Sequence, residues 1–319
     1  MTEFTILTIS HEPVLTVLRF VAWHRAMGAS RIVIYFSRPD DPAIAYLRDL
    51  AFVESIPCTP AFWREIGLPE GYGFVGRQSY AMTHGYRSVK SGWVGVLDCD
   101  ELFYDGEGAL VDWLARIRPE INVLRLRVGE AISYRDGAGG VVNDRYFRLS
   151  WPGRDFSPVY GPLWSHFRAG AGTVGHFRGK SIARAGLEIS AFRQHWPEDG
   201  QGREIPTTFV PYGAGRLLLH FFEAGWGAWR RKINWRLGSG SISTGLAAYL
   251  RSLEGGEKER LWRETYEALH VFDAQRLEIL RKTGGLFIPA RDTLAPARAL
   301  FGADLIEALQ LAEAEAEAR

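Results

Sequence analysis

The chain has 319 residues, 46% hydrophobic and 24% charged, a globular composition that excludes disorder as its main state. With 38 Lys and Arg against 37 Asp and Glu the net charge is +1, so the bulk charge calls for neither nucleic acid nor an anionic membrane. Cys58 and Cys99 lie far apart without ligand spacing, which argues against a disulfide framework or a structural zinc site and fits a cytoplasmic protein; no signal-peptide core or apolar run of about 18 residues points to export or an integral membrane segment.

The first hundred residues alternate strand and helix signals. Phe4 to Ile9 reads as a strand, Ser10 as an N-cap, and Val14, Val17, Leu18 and Val21 as a helical face that Gly28 closes. Arg31 to Phe36 is a second strand, Ser37 to Pro42 a turn-rich loop, and Ala43 to Leu50 a short helix. Met82, Gly85, Tyr86 and Val89 share a helical face before Trp93 to Leu97, an apolar run of the buried parallel kind. This βαβ rhythm predicts an α/β fold with a mostly parallel, Rossmann-like sheet and a ligand beyond the carboxyl ends of its strands.

Further on, a helix around Leu110 to Ile117 ends at Pro119, Val123 to Val128 alternates as a half-exposed strand, and Ile132 to Leu149 reads as a hairpin about a Gly-rich turn. Residues 151 to 212 hold irregularly spaced aromatics, including Trp151, Phe156, Tyr160, Trp164 and Trp196, with Gly and Pro between them; they suit a loop folding over a cleft. Arg216 to Phe222 is a buried-type strand, and from Ala224 onward the chain reads as helical.

The sharpest local feature is Asp98-Cys99-Asp100-Glu101, directly after the apolar strand. Three carboxylates in four residues at a buried strand end repel one another unless a cation compensates, and Mn²⁺ or Mg²⁺ with oxygen ligands is the natural one. Alternation lets Asp98 and Asp100 point the same way, so that one ligates the ion while the other addresses a ribose or metal-bound water.

LDCDELF after an apolar strand resembles the D-x-D-E-F motif of GT-A glycosyltransferases in the family 2-like and family 92 group. Similar in order are Ser10-His11-Glu12, the run Arg19 to Gly28 with Trp23 and His24, Ile34-Tyr35, Asp40-Asp41-Pro42, Gly179 to Arg184 (GKSIAR), His195-Trp196-Pro197, and His220-Phe221-Phe222 before a helix bearing Lys232. Arg19 and His11 depart from the usual Glu and Asn of that group. The matches run from residue 4 to about 236, which implies a GT-A domain over residues 1–236 and leaves 237–319 as a C-terminal helical extension.

The resemblance implies a metal-dependent hexosyltransferase that moves a sugar from a nucleotide sugar, UDP-linked by preference, to a carbohydrate acceptor with inversion. It places the donor on His11, Glu12 and Asp41, and the metal on Asp98, Asp100 and His220. A diphosphate leaving group gives reason to add Arg77 and Gln78 at a helix start, and Lys180, Arg184 and Lys232 as phosphate clamps. Trp164, His195 and Trp196 are expected on the acceptor side, and either Glu130 or Asp155 as the base. A metal-dependent phosphohydrolase would need more ligands than the sequence offers, and a non-catalytic carbohydrate-binding protein would have no use for the acidic run.

Overall fold

A computed structural model of the chain describes residues 2–69, 71–106, 108–136, 141–222, 225–239, 241–253 and 255–318. The chain divides into two compact units, each made of separate segments: Met1–Arg127, Gly179–Leu218 and Asp292–Leu309 form the first, and Val128–Arg178, Leu219–Arg291 and Gln310–Arg319 the second. The break expected at residue 236 falls inside a helix, because the chain leaves the first unit at Arg127 and returns to it twice.

The first unit begins with β1 (Phe4–Ser10), α1 (Val14–Ala26), β2 (Arg31–Phe36), α2 (Ala43–Leu47), β3 (Val53–Pro57), α3 (Pro60–Glu65), α4 (Phe74–Ser88) and β4 (Trp93–Val96). It continues through β5 (Glu101–Asp105), α5 (Leu110–Leu114) and β6 (Val123–Leu126). All seven residues of β1 are buried, as a central strand covered on both faces requires. Helix α1 starts after Pro13 with no side-chain cap; Ser10, expected there, ends β1 instead and accepts the Glu12 N–H at 3.2 Å. Gly28, at φ +93°, closes α1 as expected, with Ala29 N–H donating to the His24 carbonyl at 2.9 Å.

The second unit takes up β7 (Val128–Arg135), β8 (Val141–Leu149), α6 (Ser157–Tyr160) and α7 (Trp164–Phe167). The chain then returns to the first unit as β9 (Lys180–Arg184), β10 (Ala191–Phe192), β11 (Pro197–Glu198) and β12 (Thr208–Phe209), and β13 (Arg216–His220) passes from one unit into the other. The expected hairpin is present as the antiparallel pair β7 and β8; its Gly-rich turn, 137–140, lies outside the described residues. The helical C-terminal part comprises α8 (Trp226–Ser239), α9 (Thr244–Ser252), α10 (Lys258–His270), α11 (Ala274–Lys282), α12 (Ala295–Phe301) and α13 (Ala303–Ala318), with short strands β14 (Val271–Phe272) and β15 (Leu286–Phe287) among them.

The protein is a mixed α/β fold whose first unit carries a seven-stranded sheet in the order β12-β6-β9-β4-β1-β2-β3, with β9 alone antiparallel to its neighbours. Leu7, Ile9, Val33, Tyr35, Val94 and Val96 turn one face to Ala81, Met82 and Tyr86 of α4. On the other face Gly95 leaves room for the Phe103 ring of β5, and α1 holds β5 through Trp23 Nε1–H, which donates to the Phe103 carbonyl at 2.7 Å. In the second unit β14 pairs with β7, β15 with β8, and an aromatic core forms from Phe156, Tyr160, Phe167, Trp229, Trp262 and Tyr266. In 151–167 Phe156, Tyr160 and Phe167 are core and Trp151 and Trp164 pack against it, where the sequence suggested a loop over a cleft. No helix among the described residues is long and apolar enough to cross a membrane.

Candidate functional site in the first unit

Strand β1 has β2 and β3 on one side and β4 on the other, so the chain reverses its direction of spread between β1 and β4. At such a switch point the loops leaving the two strands diverge and open a crevice at the carboxyl edge of the sheet. The loop after β1 carries His11, exposed, and Glu12, half-buried; the His11 ring meets the edge of Phe74 at the start of α4, centroids 5.1 Å apart. Ser37 follows β2, its N–H bonded to the Ser10 carbonyl at 2.9 Å, and its buried hydroxyl has no hydrogen-bond partner among the described residues. Sequence reasoning passed over Ser37, whose only signal is its place at the end of β2.

Beyond β4 the acidic run forms a turn leading into β5. The Glu101 carboxylate, fully buried, turns back to accept the Asp98 N–H at 2.8 Å. Asp98 is three-quarters buried and both its oxygens are engaged: Gln78 of α4 donates to Oδ1, and Lys180 Nζ donates to Oδ2 at 2.8 Å. Lys180 Nζ also lies 3.4 Å from Glu101 Oε2. Burial pushes the Lys180 amine down, but Asp98 and Glu101 more than offset it and hold the pKa above the usual lysine value. The repulsion inherent in the run is thus partly met by a lysine of the chain itself. Asp100 stays half-buried in the turn, and Gln78 keeps a buried amide oxygen with no partner among the described residues.

Lys180 owes its position to Gly179, at φ +74°, whose missing Cβ would sit 1.9 Å from the Leu126 carbonyl oxygen. The Gly179 carbonyl accepts from His195 Nδ1 at 2.8 Å, Ser181 Oγ donates to the His195 carbonyl at 2.6 Å, and the Trp196 ring lies beside the imidazole. GKS and HWP, joined by a short excursion through β10, meet at the start of β9, on the edge of the sheet where β4 ends.

Other expected residues stand elsewhere. Asp41 is buried, with Arg38 and the Ala43 N–H donating to its oxygens, so it holds the turn before α2 and has little left for a ribose. Arg184 pairs in register with Trp93, at the opposite end of β4 from the acidic turn, and donates to the carbonyls of Ile117, Arg118 and Ile121. It is not placed to clamp a phosphate at that turn. Arg77 is exposed on the first turn of α4, 5.9 Å from the Trp63 ring centroid.

Glu130, Asp155, Trp164, His220 and Lys232 belong to the second unit. Glu130 is fully buried; Arg148 and the N–H groups of Val174 and Gly175 donate to it. Burial alone would raise its pKa, but Arg148 overrides this and holds it below the usual range, which makes it a poor proton acceptor. Asp155 is exposed, and hydrogen bonds from Ser157 hold it low as well. The Trp164 ring packs on Phe156, Tyr160 and Phe167 of the aromatic core. His220 is buried with its ring 4.9 Å from that of His176, and Lys232 is half-buried on α8.

No family model and no curated protein matches the chain. Among solved structures it is similar to HddC from Yersinia pseudotuberculosis, with 15% identity and a TM-score of 0.27, covering 42% of this chain and 60% of that one. It is also similar to the mannosyltransferase PcManGT from Pyrobaculum calidifontis in complex with GDP-Man and Mn²⁺, with 15% identity and a TM-score of 0.38, covering 100% of this chain and 81% of that one. A 4-diphosphocytidyl-2C-methyl-D-erythritol synthase aligns over 31% of this chain and 47% of its own, with 11% identity and a TM-score of 0.22. Likenesses this distant assign no activity.

Proposed function

We propose that the first unit binds a nucleotide sugar and a divalent cation at the carboxyl edge of β1, β2 and β4, and that the protein is a glycosyltransferase of GT-A type. The observation that carries this reading is the acidic turn at the β1/β4 switch point, held by Lys180 and Gln78. Asp98, Asp100 and Glu101 offer only hard oxygen donors, which fit Mn²⁺ or Mg²⁺, and the unpartnered Gln78 oxygen beside them suits a site that is completed by a ligand. Asp98 and Asp100 would be the cation's ligands within the turn, with Gln78 and Lys180 holding the Asp98 carboxylate in place. A bound cation would supply charge neutralisation for a departing diphosphate.

The chain's own residues bind and orient. Ser37 and Glu12, at the ends of β2 and β1, would bind a ribose, and Arg77 would offer a guanidinium to phosphate oxygens from the start of α4. His11 stays with the donor on its place after β1, and His195 and Trp196 with the acceptor. The ligand role of His220 and the phosphate role of Lys232 are proposed on the order of motifs alone. Asp155 is the accessible one of the two carboxylates considered as base. Hexosyl transfer with inversion and a UDP-linked donor are the finer reading, supported by the sequence resemblance.

Slow donor hydrolysis tests the class of activity. Incubation with UDP-glucose or GDP-mannose and Mn²⁺ is expected to release nucleoside diphosphate, and Asp100→Asn to abolish that release with the melting temperature unchanged in metal-free buffer. A protein that releases none with any nucleotide sugar is a binding module, and release unaffected by Asp100→Asn would remove the metal from this turn.

A further inference from the structure

At the β6/β12 end of the first unit's sheet, rings and guanidinium groups alternate. Arg125 lies 5.6 Å from the Trp196 ring centroid and 5.4 Å from that of Phe209; Arg127 lies 5.3 Å from Phe209 and 5.7 Å from Tyr212. The two arginines differ in what they bind. Arg125 is buried, donates to Ser181 Oγ at 3.2 Å and pairs with Glu204 at 2.8 Å. Arg127, just past β6, is half-buried, and its guanidinium makes no hydrogen bond or ion pair with any described residue.

The guanidinium lies near two rings while no described residue uses its N–H fork, which leaves that fork for a carboxylate or phosphate. Phe209, 49% exposed, offers an apolar face beside it of the kind a pyranose ring stacks on. The place is also apt. Leu126 pairs with Lys180, the lysine that touches Asp98, and β6 is two strands from β4, roughly 10 Å along the carboxyl edge and on the side away from β2. That distance leaves room for a donor sugar between the acidic turn and the array.

We propose that Arg127, Phe209 and Tyr212 form an acceptor subsite for an anionic sugar, one bearing a carboxylate or a phosphate. The proposal rests on the transferase reading above and adds the acceptor's charge to it. The test is a calorimetric comparison on the full chain of methyl glucoside, methyl glucuronide, glucose 6-phosphate and inorganic phosphate, with UDP and Mn²⁺ titrated in parallel. One of the two charged sugars is expected to bind at least tenfold tighter than the neutral glucoside, and which of them does so names the anion. Arg127→Gln should erase that preference without changing UDP binding or the melting temperature, and Arg127→Lys, which keeps the charge but loses the fork, should retain part of it. Equal affinity for neutral and charged sugars, a preference that survives Arg127→Gln, or inorganic phosphate binding as tightly as glucose 6-phosphate would overturn the subsite. UDP binding intact in that event leaves the transferase reading standing, whereas its absence defeats that reading as well.

Discussion

His24 shows how a residue inside a functional-looking motif can serve the fold. Its Nδ1–H donates to the Phe20 carbonyl at 2.9 Å and its Nε2 accepts the Phe103 N–H at 3.2 Å, so the neutral ring ties α1 to β5, the strand that starts with Glu101. Burial lowers its pKa from 6.5 to about 3, with Phe20 and Glu101 opposing weakly. The unfolded chain then takes up a proton as pH falls through 6.5 while the folded chain does not until about 3. This contribution to stability is complete above the first value and is lost toward the second, with a slope of up to about 1.4 kcal/mol per pH unit. Urea unfolding between pH 7 and 4 should show that decline, and His24→Phe should flatten it; an equally steep decline in the variant would assign it to carboxylates. Lys180 carries a different burden. Lys180→Met leaves Asp98 and Glu101 without their cation and is expected to cost about 3–5 kcal/mol, read as a lower urea midpoint at unchanged slope.

Among the elements, those set by strong local signals were legible in the sequence. RIVIYF is β2 to the residue, and WVGV is a central strand with the acidic run directly beyond its end, as expected. Strand β3 escaped notice because VESIP, on the sheet edge, is half polar, and β5 because its first residue doubles as the last acid of the turn. The segment 151–167 was misread because Tyr160, Trp164 and Phe167 sit on helices of four residues, too short to show a period, while Trp151 and Phe156 lie in the chain before them. Ser37 and Arg127 were missed because what marks them is a hydroxyl and a guanidinium that hydrogen-bond to no described residue, which shows only in three dimensions. Gly179 gives an element-scale test of the site. Ala there is forced against the Leu126 carbonyl at a φ that side chains rarely adopt, so β6 and β9 must part and Lys180 must shift. Gly179→Ala is expected to destabilise by more than about 2 kcal/mol and to weaken nucleotide binding, whereas Gly67→Ala, where nothing lies within 4 Å, should leave binding unchanged. Calorimetric titration of UDP on both variants decides this, and unchanged affinity in Gly179→Ala would detach β9 from the site.

At the scale of the whole molecule the sequence foresaw one long domain and a helical tail, whereas the chain builds two units by leaving the first at Arg127 and returning at Gly179. Chain order could not reveal this, because β6 and β7 follow each other with a single residue between them. The acidic turn, its lysine, the switch point and the arginine–aromatic array all belong to the first unit, so the central claim, donor and cation binding at that turn, can be tested on groups of this unit alone. Melting temperature measured across a panel of nucleotide sugars, with and without Mn²⁺, on the wild-type chain and on Asp100→Asn tests that claim most directly. A ligand near one hundred times its dissociation constant stabilises by about 2.7 kcal/mol, enough for a rise of several degrees. The wild-type chain should show that rise with at least one nucleotide sugar only when Mn²⁺ is present, and Asp100→Asn should show none. A panel that leaves the melting temperature unmoved with the metal present, or a rise of equal size in the variant, would contradict it.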